Sequence, residues 1–250
     1  MHTLIADTSE QLSQLGADLV ARTLAERPAA TLLVATGNTP MGMYQELARR
    51  RAEGLLHASQ ARVFQLDEYV GVPENDVRSL YGWTRRSFVD PLGIPLVQVT
   101  RLMAEGGDLQ ASCHAYDERV AAAGGIDLAI LGLGPNGHLG FNEPPCAVDA
   151  PTRLIDLTPE SVVSNAVYWG GEDQVPRQAL TAGMNVIMQA RHIVLVVTGA
   201  HKQDILARTM HGPVTPDIPS SFLQRASNVT IVADRSTITS TSQPSVSHAS

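Results

Sequence analysis

Five short stretches of this chain, residues 30–35, 61–66, 126–133, 193–197 and 229–233, are apolar almost throughout. Short runs without polar alternation suit strands covered on both faces, as in a parallel sheet packed between helices. The segments between them carry helix ends. Thr8 and Gln11 make a capping box ahead of Leu12, Leu15, Leu19 and Leu24, which share one helical face. Thr39 and Pro40 stand as N-cap and first residue of a helix that Gly54 can stop. Leu109, Cys113, Tyr116 and Val120 form another stripe, ending at Gly124-Gly125. Strands alternating with helices predict an α/β fold: a doubly wound, mostly parallel, Rossmann-like sheet with helices on both faces. The pattern is that of a single domain over residues 1–235. Residues 236–250 are Ser/Thr-rich without apolar periodicity and are expected to form a disordered tail.

Bulk properties then narrow the function. A formal net charge of −7 disfavours nucleic acid and anionic membrane as partners, but not a small anion that needs only a few local donors. No apolar run approaches the ~20 residues of a membrane span. Residues 1–7 lack the basic start and apolar core of a signal peptide. Two cysteines, Cys113 and Cys146, cannot build a disulfide framework. The expected location is cytoplasmic. No interface signal separates from the core pattern, which leaves a homo-oligomer open.

In a doubly wound sheet, ligands bind beyond the carboxyl ends of the strands, and three loops fall there. Ala35-Thr36-Gly37-Asn38-Thr39-Pro40 joins a strand to a helix. It reads either as a phosphate cradle at a helix N-terminus or as a capped tight turn. Leu66-Asp67-Glu68-Tyr69 offers adjacent carboxylates, either a general base or solvated charge. Gly132-Leu133-Gly134-Pro135-Asn136-Gly137-His138-Leu139-Gly140-Phe141-Asn142-Glu143-Pro144 packs four glycines around one histidine and one glutamate. That pattern favours backbone crowding a ligand, with the imidazole held by a partner, over an incidental turn.

His138 and Glu143 do not have zinc spacing, and neither cysteine belongs to a paired motif, so no metal is expected. The glycines do not complete a dinucleotide fingerprint, and no Gly-x-Ser-x-Gly elbow is present.

Together these segments resemble the glucosamine-6-phosphate deaminase family, within the superfamily that includes 6-phosphogluconolactonase. The resemblance runs over nearly the whole chain. It continues through Gln174-Val175-Pro176, Ala179-Leu180-Thr181, Thr198-Gly199-Ala200-His201-Lys202 and Gly212-Pro213-Val214-Thr215-Pro216. Its most specific part is Gly137-His138 with Phe141-Asn142-Glu143-Pro144, because the lactonases carry an Ala-Ser-Leu-Phe-Pro-like continuation after the histidine. The resemblance implies a cofactor-free deaminating isomerase that converts glucosamine 6-phosphate and water to fructose 6-phosphate and ammonia. It gives Asp67 the proton transfer between C2 and C1, His138 the opening of the sugar ring, and Glu143 the orientation of His138. Thr36, Gly37, Asn38, Thr39 and Lys202 match phosphate-binding positions.

Two positions depart from the pattern. Asn136 stands where the best-known members have an aspartate beside the histidine. It removes one negative charge but keeps an acceptor, and relatives acting on galactosamine 6-phosphate also carry Asn there. Val167 stands near where a phosphate-clamping arginine is expected, in Ser164-Asn165-Ala166-Val167-Tyr168-Trp169, a segment that resembles the family's mobile lid. The alternatives are a galactosamine-6-phosphate deaminase/isomerase and, in a different class, a non-catalytic sugar-phosphate sensor. A sensor has no need to keep Asp67, His138 and Glu143 together.

Overall fold

The computed structural model describes residues 1–238. The elements, in chain order, begin with β1 (His2–Ala6), α1 (Ser9–Glu26), β2 (Thr31–Val34), α2 (Met41–Ala52), β3 (Arg62–Gln65) and β4 (Asp67–Tyr69). A helical run over 80–92 follows: α3 (Leu80–Thr84), a π-helical turn (Arg85–Val89) and α4 (Asp90–Leu92). Next come β5 (Val99–Thr100), α5 (Leu109–Ala122), β6 (Leu128–Gly132), β7 (Arg153–Asp156) and α6 (Pro159–Trp169). The chain ends through β8 (Gln178–Thr181), α7 (Met184–Met188), β9 (His192–Val197), α8 (Gln203–His211) and β10 (Val229–Asp234).

Seven strands form one sheet in the order β1-β10-β9-β6-β2-β3-β5, with every pairing parallel. Its alternating side chains feed two cores. Leu33, Ala129, Leu131, Leu195 and Ile231 face one side. Leu32, Val34, Leu128, Ile130, Val194, Val196 and Val232 face the other. Period-two alternation between two buried faces is the doubly wound arrangement expected from the unbroken apolar runs. From β2 the chain steps outward to β3 and β5. It then returns to β6 on the other side of β2 and steps the opposite way to β9 and β10. The direction therefore reverses between β2 and β6, where the crevice of such a sheet opens.

Local signals act largely as read. Thr8 accepts from Gln11 N at 3.1 Å, although the Gln11 amide oxygen reaches back to Asp7 N rather than to the cap residue itself. Gly54, at φ +74°, ends α2, with its N–H on Arg51 O and the Leu55 N–H on Arg50 O. At the other end of α2, Pro40 rather than Thr39 is the cap residue, and no side chain caps the helix. The Met41 N–H donates instead to Asn38 O at 3.2 Å.

A three-stranded antiparallel sheet, β4-β8-β7, was not foreseen. It grows from the carboxyl end of β3. Gln65, fully buried, holds the bend: its amide donates to Asp67 O and Glu68 Oε2 and accepts from Leu102 N. A third apolar cluster, including Tyr69, Phe141, Val162, Trp169 and Ala179, joins this small sheet to α6. Of the expected tail, Ser236, Thr237 and Ile238 close the described chain. Arg235–Thr237 forms a 3-10 turn capped by Asp234, with Thr237 buried. The rest, from 239 on, lies outside the described residues.

Candidate active site

A cavity of about 920 Å³ opens at the carboxyl ends of β2, β3, β6 and β9. Thr36, Gly37, Asn38 and Thr39 line it from the loop after β2, Asp67 from the seam between the two sheets, His138 from the loop after β6, and Lys202 from the turn after β9. Positions far apart in the chain thus converge on one space. Asn136 and Glu143 lie behind His138 rather than on the wall.

Asp67 is placed by the change of sheet. After Gln65 the backbone leaves the parallel sheet and pairs with β8, so that Asp67 lies opposite Thr181. The side chain is buried, and Oδ1 has no hydrogen-bond partner among the described residues. Burial, followed by the nearby Glu68 charge, pushes its carboxyl up to about 7. Glu68 is equally buried but fully occupied. It accepts from the N–H groups of Tyr69, Leu80 and Tyr81, from the Ser79 hydroxyl and from Gln65. Of the adjacent pair, Glu68 holds the first turn of α3 and Asp67 faces the cavity.

The glycines after β6 make room for His138. Gly134 N–H donates to His138 O at 3.0 Å, and a Cβ on Gly134 would lie 2.2 Å from the imidazole. Gly137, at φ +87°, turns the chain where a Cβ would meet Ile218 at 2.6 Å. The loop is fixed to β8: Phe141 N donates to Thr181 Oγ1, and Asn142 Nδ2 donates to Ala182 O. The strand that pairs with Asp67 therefore also anchors the loop that carries His138.

Behind the imidazole, His138 Nδ1 lies 3.2 Å from Glu143 Oε2, and Asn136 Nδ2 donates to the same oxygen at 3.0 Å. Asn136 Oδ1 also accepts from His138 N at 3.2 Å. Burial pushes the Glu143 carboxyl up, but the hydrogen bonds from His138, Ser161 and Asn136 outweigh it and hold it below the ordinary range. An ionised Glu143 assigns the proton to Nδ1 and leaves Nε2 as the free ring nitrogen. Two neighbours were missed by sequence reasoning, the Ser161 and Thr158 hydroxyls, both on Glu143. Their Thr-Pro-Glu-Ser context signals only a helix start.

Val167 is 75% exposed and does not line the cavity, whereas Ser164, Asn165, Tyr168 and Trp169 do. The segment expected to resemble a lid is the C-terminal half of α6. Tyr168 packs edge-on against Trp83, and its hydroxyl lies 4.0 Å from where a Cβ on Gly37 would be. That places a phenol over the loop after β2. Lys202 is half-buried, and desolvation lowers its pKa. Arg78 and Arg86 also line the cavity, Arg78 stacked 4.5 Å over the Trp169 ring and Arg86 donating to Val77 O.

Residues 5–232 match the family described as glucosamine-6-phosphate isomerases/6-phosphogluconolactonase. The chain is 40% identical to a glucosamine-6-phosphate deaminase of Streptomyces avermitilis, covering 94% of this chain and 90% of that protein. It is 38% identical to one of Halothermothrix orenii, covering 94% and 98%. Among solved structures, a monomeric glucosamine-6-phosphate deaminase superposes with a TM-score of 0.92 at 32% identity, covering 95% of this chain and 98% of that one. The 6-phosphogluconolactonase of Trypanosoma brucei shares the fold at a TM-score of 0.75 and 20% identity.

Proposed function

The chain belongs to the glucosamine-6-phosphate isomerase/6-phosphogluconolactonase family, and on that premise we propose that it is a glucosamine-6-phosphate deaminase acting in the cytoplasm. The observation that carries this reading is Asp67, a buried carboxyl with an unpartnered oxygen, in one cavity with a histidine backed by a carboxylate. The phosphate of the substrate is held by the loop Thr36–Thr39 at the uncapped start of α2, with Lys202 supplying charge. His138, with Nδ1 fixed on Glu143, takes the O1 proton through Nε2 and returns it to the ring oxygen, opening the sugar. Asp67 then removes the C2 proton and delivers it to C1, while the aldehyde oxygen O1 takes a proton from the C2 ammonium, leaving a protonated imine at C2 and a hydroxyl at C1. Water adds there, and ammonia leaves with fructose 6-phosphate. Each proton taken is given back, so the reaction is redox-neutral. Asn136 fixes the His138 loop through both ends of its amide.

Ammonia release from purified protein tests this reading, with glucosamine 6-phosphate and galactosamine 6-phosphate measured side by side and Asp67→Asn as control. Release from the gluco sugar that disappears in the variant is the expected result. Silence with both sugars would refute the assignment.

A further inference from the structure

We infer that Ser161, at the start of α6, is a positioning residue for the reaction, fixing the Glu143 carboxylate against His138. The inference rests on the deaminase reading of the site. Ser161 is fully buried, and its hydroxyl touches both members of the pair: it donates to Glu143 Oε1 and lies 3.4 Å from His138 Nδ1.

The two carboxylate oxygens have distinct partners. Oε2 receives His138 Nδ1, Asn136 Nδ2 and the Thr158 hydroxyl. Among the described residues, Oε1 has the Ser161 hydroxyl alone. Three donors on one oxygen leave the plane of the carboxylate free to swing about them, and the single bond on Oε1 sets that plane. The plane in turn sets the direction in which Nδ1 is held, and hence where Nε2 meets the sugar. His138 is the titratable group facing Glu143. The other three partners are neutral, so Ser161 does not act by supplying charge.

The attachment is built into the helix. Thr158 is the N-cap of α6 and accepts from Ser161 N at 3.3 Å while donating to Glu143, so the cap and the buttress are one arrangement. About 10 Å further along the same helix, Tyr168 and Trp169 form the cavity wall. Through Ser161, one rigid element touches the histidine–glutamate pair at one end and the substrate space at the other.

The test compares Ser161→Ala and Ser161→Thr with wild type, reading kcat and KM separately for glucosamine 6-phosphate, with thermal unfolding to monitor the fold. A hydrogen bond to a charged group is lost in the alanine variant, so kcat is expected to fall about tenfold or more, with KM within about twofold. Threonine, which keeps the hydroxyl, restores most of the rate. An alanine variant with wild-type kcat would overturn the inference. So would a loss in which kcat, KM and melting temperature move together and threonine rescues nothing, because Ser161 would then be only structural. An inactive wild type would instead refute the deaminase reading.

Discussion

Asp67 and Glu68 are consecutive residues of β4, and their carboxylates meet opposite environments. Glu68 accepts five hydrogen bonds, whereas Asp67 Oδ1 is buried with none. The cause is the strand itself, which sends successive side chains to opposite faces. One face meets the N-terminus of α3, and the other meets the cavity. The two carboxylates should therefore fail differently. Asp67→Asn keeps the fold and loses about 10³-fold in kcat, the range of a general base. Glu68→Gln replaces one of the two acceptor oxygens beneath α3 with an NH2 donor facing other donors and costs about 1–3 kcal/mol in urea unfolding, with a much smaller loss of kcat per folded molecule. Equal kinetic damage from both variants would mean that the division of labour is wrong.

The same burial makes a prediction about pH. The Asp67 carboxyl stands at about 7 in the fold against a reference of 3.8, so the folded protein binds this proton more tightly than the unfolded chain. Ionised Asp67 thus destabilises the fold. The penalty is complete above pH 7, shrinks as pH falls from 7 toward 3.8, and is absent below that. Asp67→Asn should accordingly be more stable than wild type at pH 8.5, by at most on the order of 4 kcal/mol, with a smaller margin at pH 5. In the active enzyme, kcat/KM should rise with pH through about 7 as the base ionises. Urea unfolding at the two pH values checks the first statement, and a pH–rate profile checks the second.

On the proposed reading, with no arginine at 167, Lys202 supplies charge to the phosphate beside the neutral donors of the Thr36–Thr39 loop, while Arg78 and Arg86, also on the cavity wall, are engaged with the Trp169 ring and Val77 O. Lys202→Met should raise KM about tenfold or more, as expected for loss of a charge-assisted contact, and leave kcat within a few-fold. Because desolvation lowers the Lys202 pKa, inorganic phosphate should inhibit progressively less as pH rises into the alkaline range, and Lys202→Met should lose that dependence. Tyr168→Phe tests the phenol over Gly37, with a few-fold rise in KM expected. Unchanged inhibition by phosphate in Lys202→Met would place the anion elsewhere in the cavity.

The parallel sheet was legible because each of its buried strands is apolar on both faces, so that runs such as 193–197 leave little alternative. The positions of Thr36, Asp67 and His138 just beyond the ends of such strands were legible, although Asp67 proves to begin a strand of its own rather than a loop, and their convergence followed from topology. The small antiparallel sheet was not legible. Its strand Asp67–Tyr69 is short and polar, and it pairs with Gln178–Thr181, more than a hundred residues away. No local pattern announces such a pairing. Ser161 was hidden for a related reason: a serine in a first helical turn reads as capping chemistry, and only tertiary contact turns its hydroxyl onto Glu143. The expected Thr39 side-chain cap on α2 did not form: the cap position falls one residue later, on Pro40, because Thr39 belongs to the cavity loop rather than to the helix start.

Gly134 gives the sharpest separation of fold from chemistry. Its backbone does not have positive φ, so alanine is conformationally permitted there. The obstacle is the imidazole, since a Cβ would lie 2.2 Å from His138 Cδ2 and 2.3 Å from Nε2. Either the ring or the backbone must move, and a displacement of about 1 Å at a reacting group costs on the order of 10²-fold in rate. Gly54 provides the contrast. It has φ +74° with nothing within 4 Å of a Cβ, at the end of α2 remote from the cavity. Gly54→Ala should cost roughly 1–2 kcal/mol of stability from left-handed strain and leave kcat and KM unchanged. Gly134→Ala should lose about 10²-fold in kcat, a kinetic loss out of proportion to the roughly 1–3 kcal/mol that overpacking costs in stability. Near-normal kcat in Gly134→Ala would mean that the imidazole does not need the position it occupies against this glycine, and the ring-opening role of His138 would have to be given up.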